Sequence, residues 1–213
     1  EDIAAELFSY GIDVITTGDH VWDKKEILHA LETNKNILRP GNYSPLAIGK
    51  GYVVKQAKRG EPIGVINLLG RVFMKPIDCP FRAVDEILKN LSRETSIIFV
   101  DMHAEATSEK IAMGWYLDGK VSAVVGTHTH VPTADEKILP KGTAFISDLG
   151  MTGPHESILG RKIECVLKAV VTQMPTRFEV AEKDVRINGV KVVVDSQTGR
   201  ADSIKRIEIK EGD

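Results

Sequence analysis

The sequence predicts an α/β layered sandwich with a mixed sheet. Three features carry that expectation. Apolar, β-branched runs alternate with helix-spaced segments through residue 174. The last forty residues change to strand-like segments with hairpin character. No linker divides the 213 residues, which therefore read as one domain over 1–213. Hydrophobic residues make up 42% and charged residues 27%, the proportions of a soluble globule rather than a disordered or fibrous chain.

Taken in order, Ile3, Leu7 and Phe8 share one face of a helix over 3–10 that Gly11 ends. The run 12–18 (IDVITTG) reads as a buried strand. Residues 23–32 read as a helix with Asp23 as its N-cap, and 39–45 (RPGNYSP) as a loop. Strands follow at 52–57 and 63–70, a helix at 80–92, a strand at 96–103 and a helix at 106–117. Strands at 121–126 and 143–150 precede a longer helix at 156–174. The segments RFEVA, VRINGVKVVVD and SIKRIEIK then read as strands, with Asn188-Gly189 as a type I′ hairpin turn.

Charge and cysteine content narrow the function. Lys plus Arg number 28 against 30 Asp plus Glu, so the chain has no global field with which to grip nucleic acid. No apolar run approaches the ~20 residues that cross a bilayer. Cys79 and Cys165 lie far apart and outside any CxxC spacing, which excludes a disulfide framework or zinc knuckle and suggests the reducing cytoplasm.

Four of the six histidines fall just after predicted strands: His20, His103, His128 and His130. Loops beyond the carboxyl ends of strands in one open sheet converge on a crevice. Imidazole is the commonest metal-ligand side chain, and carboxylates such as Asp19 join it for Fe, Mn or Zn. An extended HxH segment places both rings on one side of the chain, where each can meet one of two metals. Singly, each histidine reads equally as a hydrogen-bonded surface residue, and the tripeptide HTH alone is not specific. His29, in a helix, and His155, in a Gly-Pro loop, read as structural. Asp101, Glu105 and Asp148 read either as partners that orient imidazoles or as caps and turn residues.

The strings GDH (18–20), DMHAE (101–105) and GTHTH (126–130) resemble the later motifs of the calcineurin-like metallophosphoesterases. The longer strings TTGDHVWD, DMHAEATSEK, GTHTHVPTADEKILP and GTAFISDLGMTGP resemble the bacterial YmdB family over nearly the whole chain. The resemblance implies a metallophosphoesterase-type α-β-β-α sandwich and a dinuclear-metal phosphodiesterase. Such an enzyme opens 2′,3′-cyclic nucleotides to 3′-monophosphates with a hydroxide held between the two ions (Fe, Mn or Zn). By the same resemblance, His103 and His128 are ligands of one metal and His130 of the other. Asp19 is the ligand where the family has Asn, and His20 is the general acid. Asp at position 19 coordinates more strongly than Asn but turns extra negative charge toward an anionic phosphate.

Family members begin with a strand ending in Gly-Asp and a second ending in Asn-Gly-Glu, which supply two further ligands. The chain starts at Glu1 within the helix that follows them, so the expectation is a piece of a longer coding sequence. The implied partners are a small nucleotide and, as further candidates, RNA ends and a second copy of the chain, with no membrane. Alternative readings are a broader phosphatase or nuclease on the same metals, or a non-catalytic metal- or nucleotide-binding module.

Overall fold

A computed structural model describes residues 2–212; Glu1, on which the expectation of a longer chain turned, lies outside them. In chain order the elements are α1 (Asp2–Ser9), β1 (Ile15–Thr16), α2 (Ile27–Thr33), β2 (Ile37–Leu38), β3 (Tyr52–Gln56) and β4 (Pro62–Leu69). They continue with α3 (Pro80–Leu91), β5 (Ile97–His103), α4 (Thr107–Leu117), β6 (Ala123–Thr127), β7 (Lys137–Ile138) and β8 (Ala144–Ile146). The last are β9 (Gly153–Pro154), α5 (Ile163–Thr172), β10 (Val185–Val194) and β11 (Ala201–Lys210).

The expected mixed α/β sandwich is present. Its centre is a six-stranded sheet of order β3-β4-β5-β6-β8-β7, in which β4, β5, β6 and β8 run parallel and the two edge strands are antiparallel. The parallel strands are mostly apolar because both faces are covered, with Asn67 and Asp101 as buried polar exceptions. On one face α3 and α4 bury Val84, Leu88, Leu91, Met113 and Leu117 against Ile66, Leu68, Val100, Met102 and Phe145. On the other, Val192 and Ile204 of the β10–β11 ribbon pack on Phe99, Ala123 and Ala144, where small side chains allow the close approach of the second sheet. Among the described residues, no helix is long and apolar enough to cross a membrane.

Several expected elements differ. Asn188-Gly189 does not turn the chain. Both residues lie inside β10, paired with Glu208 and Ile207 of β11, and the Asn188 side chain donates to the carbonyl of Met151 and to His155. The turn comes at Asp195–Gly199, where the Asp195 carboxylate accepts the Gln197 and Thr198 amides and Gly199 takes φ 71°. The strand over 12–18 shrinks to Ile15–Thr16, because its parallel partner β2 is itself two residues long. The helix over 156–174 begins at Ile163. Residues 157–160 are held instead in a turn by the Ser157 hydroxyl, which donates to the Pro154 carbonyl and accepts the Gly160 amide. RFEVA is not a strand; Val180 makes one isolated bridge, to Arg161. The very short β2, β7 and β9 have no periodicity to detect.

One side chain ties the small β1–β2 sheet to the large one. Asn67, fully buried on β4, donates its amide hydrogens to the carbonyls of Thr17 (2.9 Å) and Leu38 (3.1 Å). Asn67→Ala should therefore cost about 1–3 kcal/mol, because the Thr17 carbonyl loses this donor, while the Leu38 carbonyl keeps the amide and hydroxyl of Thr17. Urea unfolding measures it, and a loss below about 0.5 kcal/mol would show that this side chain does not tie the sheets together.

Candidate metal centre

The parallel strands deliver their carboxyl ends to one edge of the sheet. His103 is the last residue of β5 and lies in register with Thr127, the last of β6, with His128 next in the chain. Asp19 follows β1. These three side chains meet: His103 Nε2 is 3.1 Å from Asp19 Oδ1 and 3.1 Å from His128 Nδ1, and His128 Nδ1 is 3.7 Å from Asp19 Oδ1. Among the described residues, they form a group whose ligand-type atoms all lie within 4.8 Å of one another.

The contacts behind each ring decide which atoms face the centre. Asp101, buried on β5, accepts the hydroxyl proton of Thr127 (2.7 Å). Thr127 Oγ1 must then accept from His103 Nδ1–H (2.9 Å), which leaves Nε2 of a neutral His103 without a proton. Glu105 Oε2 lies 3.0 Å from His128 Nε2, and its negative charge draws the proton of a neutral ring to that nitrogen rather than to Nδ1. Burial holds the His103 imidazole below its usual pKa, aided by His128 and opposed by Asp19. Partial burial raises the Asp19 carboxyl, but the neighbouring imidazoles of His103, His20 and His128 outweigh it, so Asp19 ionises below the usual carboxylate range. Burial pushes Asp101 up to about 6. Two bare nitrogens and a carboxylate oxygen thus converge with no proton between them, an arrangement that suits a cation. The backbone leaves room for it: a Cβ at Gly18 would stand 2.3 Å from His103 Nε2.

The remaining expected residues lie near but apart. His20 is exposed, its Nδ1 2.8 Å from Asp23 Oδ2 and its Nε2 3.8 Å from Asp19 Oδ2. Asp23 is therefore the partner of His20 and not an N-cap; α2 starts at Ile27 with no side-chain cap. His130 is outside the trio, with Nδ1 donating to the Leu159 carbonyl (3.2 Å). His128 and His130 have φ of 110° and 67°, so the HxH segment is not extended and its rings are aimed by the loop. His155 donates from Nδ1 to Gly153 and accepts from Asn188, a structural role.

That loop is shaped by a pair the sequence did not single out as such. Asp148 Oδ2 accepts from the amide and hydroxyl of Thr129, between the two histidines, and from Lys110 Nζ at 2.9 Å. Both charged side chains are 1% exposed. Lys110 sits in an ordinary helix pattern, and only the long-range pairing marks it.

A mixed sandwich with histidines and a carboxylate gathered at the strand ends defines a metallophosphoesterase-type protein. The chain belongs to the YmdB-like protein family, whose profile matches residues 1–207. It is 49% identical to the 2′,3′-cyclic-nucleotide 2′-phosphodiesterase of Bacillus subtilis strain 168, over 99% of this chain and 80% of that protein. Among solved structures it resembles a hypothetical protein from Thermus thermophilus, with TM-score 0.90 and 41% identity over 96% of this chain and 79% of that one. It also resembles a phosphatase from Mycoplasma pneumoniae, with TM-score 0.87 and 35% identity over 96% and 74% of the two chains.

Removing the Lys110 charge should destabilise the fold by about 3–5 kcal/mol, since Asp148 would remain buried and without its cation. Denaturant unfolding of Lys110→Met measures this, and a loss under about 1 kcal/mol would mean that the Thr129 and Gly150 donors alone suffice for Asp148.

Proposed function

We propose that the chain is a metal-dependent phosphodiesterase that opens 2′,3′-cyclic nucleotides to 3′-monophosphates, in the cytoplasm. The observation that carries this reading is the meeting of three unprotonated ligand atoms, from Asp19, His103 and His128, beside the exposed imidazole of His20. The activity of the B. subtilis relative, a 2′,3′-cyclic-nucleotide 2′-phosphodiesterase, supports the substrate class. Asp19, His103 and His128 would hold one ion and His130 would serve a second, each Fe, Mn or Zn. When bound, such a pair lowers the pKa of water and neutralises phosphate charge during in-line displacement.

The chain's own residues supply the rest. Thr127 and Glu105 hold the ligand imidazoles in the tautomers that present lone pairs. Asp23 retains the Nδ1 proton of His20 and fixes the ring, so that Nε2 carries the mobile proton. Delivered to the 2′ oxygen as its bond to phosphorus breaks, that proton turns an alkoxide into a neutral hydroxyl and leaves the phosphate on the 3′ oxygen. A monoesterase reading draws on the M. pneumoniae phosphatase; relative rates on bis(p-nitrophenyl) phosphate and p-nitrophenyl phosphate separate the two.

In the metal-loaded protein, His20→Ala should keep its metal and lose about 10²–10⁴-fold in turnover on a 2′,3′-cyclic nucleotide. On a p-nitrophenyl diester, whose leaving group needs little protonation, the loss should be much smaller. Equal losses on the two substrates, or loss of metal, would contradict the general-acid role.

A further inference from the structure

The loop that follows β4 is anchored at both ends on the candidate metal centre. At its start, the Gly70 amide donates to the carbonyl of His103 (2.9 Å). At its end, Met74 Sδ accepts the amide of Glu105, the residue whose carboxylate holds His128. Between these points, the buried carboxylate of Glu109 accepts the amides of both Arg71 (3.0 Å) and Val72 (3.2 Å). A Cβ at Gly70 would come within 2.6 Å of that carboxylate, so the loop is drawn tightly onto α4.

This bracing has a distinctive outcome. Phe73 is held at φ 61°, a left-handed conformation that is costly for an aromatic residue, and its side chain points away from the core with 88% of its surface exposed. Single exposed apolar residues are ordinary, but a strained backbone stabilised by a buried carboxylate is not what a passive surface residue requires. Two residues earlier on the same loop, Arg71 is exposed, and among the described residues its guanidinium makes no ion pair or hydrogen bond. A solvent-facing ring on a pinned backbone and an unpaired guanidinium on the same short loop, tied to two metal-type histidine segments, offer what the two ends of a nucleotide need: a π-face to stack and a cation to pair with an anion.

We propose that Phe73 is the platform on which the nucleobase of the substrate stacks, a specificity-determining residue that favours nucleoside phosphates over base-free sugar phosphates. The inference deepens the phosphodiesterase reading and rests on it for the substrate class. Because every base has a π-face, the platform discriminates base from no base and little among the four bases.

The test compares adenosine 3′-monophosphate with ribose 3-phosphate, by isothermal titration into the metal-loaded protein, alongside steady-state hydrolysis of adenosine 2′,3′-cyclic monophosphate. Phe73→Ala should weaken adenosine 3′-monophosphate about 10-fold and raise KM for the cyclic nucleotide by a similar factor, with ribose 3-phosphate and kcat unchanged. Phe73→Tyr should restore both. Unaltered nucleotide binding in Phe73→Ala, or equal weakening of both ligands, would overturn the platform. Base-dependent binding without any cyclic-nucleotide hydrolysis would retain the platform and refute the proposed reaction instead. Hydrolysis with an unchanged KM in Phe73→Ala would do the reverse.

Discussion

Asp101 lies buried in the middle of the large sheet and takes the hydroxyl proton of Thr127. Because that proton is committed, the hydroxyl oxygen can only accept from His103, and the imidazole must present its other nitrogen bare toward Asp19 and His128. The candidate metal centre depends on this relay. Were Thr127 to donate to His103 instead, the proton on Nε2 would satisfy Asp19 directly and no cation would be required. Glu105 imposes the same discipline on His128 from outside. Such outer partners fix both the tautomer and the orientation of a ligand, and here the strand register of His103 with Thr127 supplies the first of them without further structure.

The fold converts these local contacts into a site by holding three separate pieces of chain in place. β5 and β6 are fixed by their ladder and by the helices packed on them. The Asp19 segment belongs to another, two-stranded sheet, and is joined to the large one through Asn67. The loop 128–130, with its two left-handed residues, is locked by Asp148 and Lys110. A buried ion pair is poor support for stability as such, yet here it positions backbone donors between two histidines.

Much of this was legible in the sequence. The buried parallel strands announced themselves by apolar, β-branched runs, and the histidines by falling directly after them. The trio was readable because position after a strand implies position at one edge of the sheet. The supporting set was not. Thr127, Lys110 and Asp23 become significant only through partners that are 26, 38 and 3 residues away, each in an ordinary local pattern. Asn188-Gly189 misled because a strong turn signal yields where the cross-strand ladder continues on both sides. The extended reading of HxH failed for a related reason: tertiary hydrogen bonds to Asp148 outweigh the local backbone preference of Thr129 and its neighbours.

The central claim is that bare His103 Nε2 and His128 Nδ1 face Asp19 and together hold a metal ion. Long-range ¹H–¹⁵N correlation spectra of the histidine side chains, recorded on metal-free protein and then during titration with Zn²⁺, test it most directly. The account predicts His103 protonated on Nδ1 and His128 on Nε2 before metal is added. On titration, the ¹⁵N shifts of the two bare nitrogens should move together to a stoichiometric end point. A proton on His103 Nε2, or nitrogen shifts that ignore the metal, would contradict it.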